Sequence, residues 1–82
     1  MRHDSEYMIE WTRPDKYDPS TVLQCLPCPI SQDRRVIYTY AVKPEGFYLV
    51  DHNVDVRVAS QAMKLLVDEA LTYAGQVTIR KL

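Results

Sequence analysis

Over residues 7–13 the chain alternates. Tyr7, Ile9 and Trp11 fall on one side, and Met8, Glu10 and Thr12 on the other. A period of two among β-favouring residues predicts a half-buried strand. Pro14 ends it, because proline has no N–H for the ladder. Residues 13–20 form a polar connection, and at Asp18-Pro19-Ser20-Thr21 the signals become those of a helix start. Asp18 suits a cap and Pro19 the first helical position. Val22, Leu23 and Leu26 follow at helical spacing until Pro27 closes the segment. Two turns are marginal for a helix, so helix and extended chain stay open for residues 19–26. Two prolines and Ser31-Gln32-Asp33 mark residues 27–34 as loop.

The strongest strand signal spans residues 35–43. Val36, Tyr38, Tyr40 and Val42 line one side, and Ile37, Thr39 and Ala41 the other. Both sides are fairly apolar, which suits a central strand or one with a functional outer face. Lys43-Pro44-Glu45-Gly46 is a turn, with Pro44 presetting φ and Gly46 free to take positive φ. Phe47 opens the return strand, completing a hairpin that ends at Asp51. Asn53 or Asp55 then caps a helix to about Ala74. Its stripe is Val56, Ala59, Met63, Leu66, Val67, Ala70 and Ala74, widened by Val58, Ala62 and Leu65. Arg57, Ser60, Gln61, Lys64, Asp68, Glu69 and Thr72 form the wet side, and Gly75 is a suitable stop. Residues 77–82 alternate again as a last strand.

The pattern predicts an α+β domain, with an antiparallel sheet of three to four strands and one long helix on one face. If the short segment is helical, the order becomes the βαββαβ of ferredoxin-like domains. If not, a plain sheet with one helix remains.

Length and composition narrow this further. Eighty-two residues suit a single domain over 1–82, with one core and little room for a deep pocket. An apolar fraction of 46% with 26% charged residues argues for an ordered chain. The formal charge is −1, and only Arg34-Arg35 and Arg80-Lys81 place basic residues side by side. That is not the basic stripe of a dedicated nucleic-acid binder. No apolar run approaches the roughly 18–20 residues of a membrane span, and the polar start lacks a signal-peptide core. The expectation is a complete short cytoplasmic protein.

Cys25-Leu26-Pro27-Cys28 is the one short motif with a mechanism of its own. In redox proteins such a pair opens a helix whose dipole activates the first thiol, but here Pro29 follows and no helical pattern continues. A zinc site needs four ligands, for which Cys25, Cys28, His52 and His3 are the weak candidates. Two reduced loop cysteines are the simpler reading. The chain has two glycines, Gly46 and Gly75, so no phosphate-cradling loop is present. No serine lies in a nucleophile-elbow setting. Asp51-His52 at a strand end reads as a solvated pair. The expectation is a non-enzyme with no cofactor.

Gly46-Phe47-Tyr48-Leu49-Val50 resembles the third-strand motif of the RNA-recognition domain over about five residues. Glu45 stands where that motif has a basic residue, and Leu49 where it has a second stacking aromatic. The resemblance implies bases stacking on this strand. The competing reading is cross-strand packing within the sheet.

Six tyrosines and one tryptophan are many rings for so small an interior. One helix covers one sheet face, so some rings are expected on the other. Tyrosine and tryptophan dominate interface hot spots. The partner-binding candidates are therefore Trp11, Tyr38, Tyr40 and Tyr48, with Asp15, Asp18, Asp68 and Glu69 steering a basic partner. The favoured expectation is a non-enzymatic protein-binding protein, with a homodimer as a sub-case. Phage or mobile-element inhibitors of host machines, of anti-defence or anti-CRISPR type, share this size and composition. A nucleic-acid-binding module and a zinc or redox protein using Cys25 and Cys28 are the alternatives.

Overall fold

The computed structural model describes residues 4–28 and 33–82. The elements are β1 (Ser5–Glu10), α1 (Ser20–Cys25), α2 (Arg34–Ile37), β2 (Tyr38–Lys43), β3 (Gly46–Asp51), α3 (Val56–Ala74) and β4 (Thr78–Lys81). The four strands form one antiparallel sheet in the order β2-β3-β1-β4. This is the expected α+β architecture. The undecided segment is helical, and the extra turn α2 interrupts a plain βαββαβ order.

Register divides the sheet into two faces. Ile9 lies opposite Phe47 and Ile79, Tyr7 opposite Leu49, and Tyr40 opposite Leu49. These residues share the helix-covered face. Ile9, Trp11, Ile37, Tyr38, Phe47 and Leu49 form one buried cluster with Val22 and Leu26 from the α1 segment and Ala59, Ala62, Leu66 and Ala70 from α3. Burying a large apolar side chain in such a cluster contributes about 1.5–3 kcal/mol. The other face carries Glu6, Met8, Glu10, Thr39, Ala41, Lys43, Tyr48, Val50, Thr78 and Arg80, by the same alternation.

Three expectations are corrected. Residues 35–37 belong to a helical turn instead of to the strand. Asp33 caps that turn by accepting from the Arg35 N–H at 2.9 Å, and the turn drops Ile37 into the core while Val36 faces solvent. Trp11 and Tyr38 lie in the core with Tyr40 packed against it, so the open face carries one ring, Tyr48. Val56, assigned to the apolar stripe of α3, is exposed.

α3 starts as its sequence indicates. Asp55 accepts from the N–H groups of Arg57 and Val58, and Gly75 closes the helix at φ 76°. Gly46 has a different reason to be glycine. A Cβ there would sit 1.9 Å from the Ile9 carbonyl oxygen and 2.9 Å from Trp11 Cδ1. Its absence lets the hairpin close against β1, where the Trp11 N–H donates to the Glu45 carbonyl at 3.1 Å.

Candidate functional site

Two concavities lie at the end of the sheet where β1, the β2–β3 turn and the C-terminus of α3 meet. The chain leaves β1 at Trp11 and turns through Lys16, which has φ 62°. Tyr17 comes back over the indole with ring centroids 5.0 Å apart and planes at 86°. Phe47 lies 5.6 Å away and Tyr73 stacks at 6.2 Å, and Tyr17 meets Tyr73 edge-on at 5.3 Å. Offset and edge-to-face contacts of this kind stabilise beyond area burial alone.

The loop is anchored as well as packed. The Tyr17 hydroxyl donates to Glu69 Oε2 on α3 at 2.6 Å. Burial is the main cause that holds the Tyr17 phenol well above its ordinary pKa. The bond to Glu69 and its negative charge add to it. Tyr73 remains 53% exposed and is thus the open ring of the group.

Two open clefts flank residues 11–12. One, of about 580 Å³, is lined by Glu10, Trp11, Thr12, Glu45, Ala74, Gly75, Gln76 and Thr78. The other, of about 490 Å³, is lined by Trp11, Thr12, Arg13, Pro14, Asp15, Lys16, Tyr17 and Pro44. Trp11 is a wall of both. It is 7% exposed, and its Nε1–H is buried with no hydrogen-bond acceptor among the described residues. Leaving such a donor unpaired costs about 1–3 kcal/mol.

Of the eight partner-binding candidates, this site gathers Trp11, Asp15 and Glu69. The others lie elsewhere. Tyr38 is fully buried, its hydroxyl donating to the Pro27 carbonyl at 2.7 Å. Tyr40 is half-buried beneath the Arg34 guanidinium, 4.7 Å from the ring centroid. Tyr48 donates to Glu6 on the open face, and Lys43 lies 5.8 Å over its ring. Asp18 accepts from the Ser20 N–H, which holds its carboxyl below the usual range. Asp68 pairs with Lys64 at 2.7 Å.

Tyr17, Tyr73, Glu45 and Gln76 were not singled out by the sequence. Each becomes part of the site through contacts between distant segments, and no local pattern marks them.

Of the positions carrying the RNA-recognition resemblance, Phe47 and Leu49 point inward, whereas Tyr48 and Val50 fall on the opposite face. Phe47 and Leu49 are 1% exposed beneath the helices, so neither can stack on a base. Cys25 and Cys28 are free and exposed. His52 Nδ1 lies 3.0 Å from Asp4 Oδ1, and His3 falls outside the described residues, as do residues 29–32 of the loop. Among the described residues no group of three or more His, Cys, Asp or Glu side chains could hold a metal ion. None of the described helices is long and apolar enough to cross a membrane.

Comparison with protein-family models, with curated proteins and with solved structures finds no match for this chain.

Proposed function

We propose that this chain is a non-enzymatic protein-binding domain that engages its partner through the aromatic end of its sheet. The supporting observation is Tyr73, an exposed ring held against Trp11 and Tyr17, which themselves line the clefts at this end. A ring already fixed by its neighbours loses little freedom on contact, which is the usual property of an interface anchor. Its base is rigid, since the Tyr17–Glu69 bond ties the loop to α3. The fuller form of this reading is a cytoplasmic inhibitor or adaptor acting on a larger protein machine, as small mobile-element inhibitors do. The nucleic-acid alternative has no comparable observation behind it.

The test is affinity capture from extracts of the source cells, with wild type and Tyr73→Ala side by side. The expected result is a specific protein retained by wild type and lost by the variant. Because Tyr73 is half-exposed, the variant should stay folded, with a cooperative thermal transition lowered by the lost ring contacts to Trp11 and Tyr17. Identical capture by both proteins, or none by either, would end this reading.

A further inference from the structure

We infer that Arg34 makes a second contact, one that takes a carboxylate: the side chain of an aspartate or glutamate on a peptide segment of a partner. The guanidinium is fixed before any ligand arrives. It lies 4.7 Å over the Tyr40 ring and 5.5 Å from the Tyr38 centroid. Its backbone belongs to α2, which Asp33 caps and whose last residue, Ile37, is buried. A guanidinium laid on aromatic rings keeps its N–H edge for a planar oxyanion, held through two parallel bonds. No group of this chain fills that role. The sequence has 11 Asp and Glu residues, all of them described, and none forms an ion pair with Arg34. Asp33, its neighbour in sequence, is held by the Arg35 guanidinium at 3.2 Å and by the Arg35 N–H at 2.9 Å. Arg34 is thus a half-buried cation without a carboxylate of its own.

A second donor adjoins it. The Tyr40 hydroxyl has no hydrogen bond among the described residues, unlike that of Tyr38, which donates to the Pro27 carbonyl. It sits at the rim of the ring that the guanidinium covers, within reach of the same carboxylate. Val42, next along the same face of β2, is 37% exposed and offers apolar contact to the stem of an acidic side chain. The charge count selects a single carboxylate over a phosphate chain. Arg35 is balanced by Asp33, which leaves Arg34 as the one uncompensated cation of α2, whereas nucleic acid is gripped by several cations in a row.

The inference shares with the protein-binding reading the premise of a partner, but the two fail separately. Tyr38 pairs with Asp51 at the end of the sheet remote from Trp11 and Tyr73, and the titration that tests it needs no partner protein. The readout is the Arg34 Nε–H resonance in ¹H–¹⁵N spectra at neutral pH and low salt, identified by its loss in Arg34→Lys. The probes are acetyl-Gly-Glu-Gly-amide, acetyl-Gly-Gln-Gly-amide and inorganic phosphate. The glutamate peptide should move this resonance and the amides of residues 38–40 saturably, with an affinity that falls as salt rises. Arg34→Lys, which keeps the charge and loses the fork, should weaken binding about fivefold, and Tyr40→Phe about threefold. Arg34→Gln should abolish it. The proposal is overturned by the absence of a saturable shift, by equal binding of the glutamine peptide, by tighter binding of phosphate, or by binding indifferent to Arg34→Gln and Tyr40→Phe. The amide spectra report the fold of each variant, and Tyr40→Phe, which loses one oxygen, carries the test should the Arg34 variants unfold.

Discussion

Gly46 and Gly75 both have positive φ, at 151° and 76°, yet the two positions have different needs. At Gly75 an added Cβ meets nothing within 4 Å, so alanine there carries only the left-handed backbone penalty, about 1–2 kcal/mol. At Gly46 the Cβ would overlap the backbone carbonyl of Ile9, which cannot rotate away as a side chain can. Gly46→Ala should therefore cost roughly 3 kcal/mol or more and loosen the hairpin from β1. Urea unfolding of the two variants would show this difference. Tyr38 offers a second residue-level expectation. Burial pushes its phenol up to about 12, with Tyr40 and Cys28 adding to the shift and Arg34 opposing it. The unfolded chain gives up the same proton near 10. The buried neutral phenol thus contributes its full stability below pH 10 and loses it as the pH climbs through about 12. The urea midpoint should drop between about pH 9 and about pH 11.5, and Tyr38→Phe should drop less. Tyr17 and Tyr48, whose phenols are also raised, add to the decline.

At the level of elements, α3 was readable because its signals are local and agree. A cap at Asp55, a stripe at helical spacing and a stop at Gly75 all lie within the segment itself. Replacing Asp55 with alanine removes the acceptor for two N–H groups and should cost about 1 kcal/mol, measured as a lower thermal midpoint. The hairpin was readable for the same reason. Residues 35–37 were not, because alternation of Val36, Ile37 and Tyr38 satisfies a strand pattern equally well. The turn there is fixed by Asp33 on one side and, on the other, by the residue that follows β3, where the His52 N–H donates to the Ile37 carbonyl at 3.0 Å. That second bond spans the fold and leaves no trace in a short window. Val56 was misassigned for a related reason. Spacing places it near the stripe, but it is the first residue of the helix and stays 62% exposed.

Across the whole molecule, the candidate site was legible only in part. Trp11, Asp15 and Glu69 were noticed as residue types, while their convergence depends on the loop crossing back to α3 over a separation of 52 positions. The expectation of an aromatic open face failed because the tyrosines of β2 share their face with the core. Tyr48 is the exception, since it alternates with Phe47 and Leu49. What the open face carries instead is Met8 and Val50, both largely buried, among self-paired polar side chains, with Glu10 bonded to Arg80 and Tyr48 to Glu6. Both outer strands end in lysine, Lys43 on β2 and Lys81 on β4, and charge at a sheet edge discourages pairing with further chains.

The strand order also sets a schedule. β1 lies between β3 and β4, so one flank of β1 is completed only by a strand some 70 positions further along the chain, the separation of Glu10 and Arg80. A growing chain can close the β2–β3 hairpin and form α3 while the second flank of β1 is still bare. Not until residues 78–81 have been made can Met8 and Glu10 find Arg80 and Thr78. Long-separation pairing of this kind slows folding, because loop closure must precede the contacts that reward it. The Trp11 aromatic group matures on the same clock, since Tyr73 reaches it only after most of α3 has emerged.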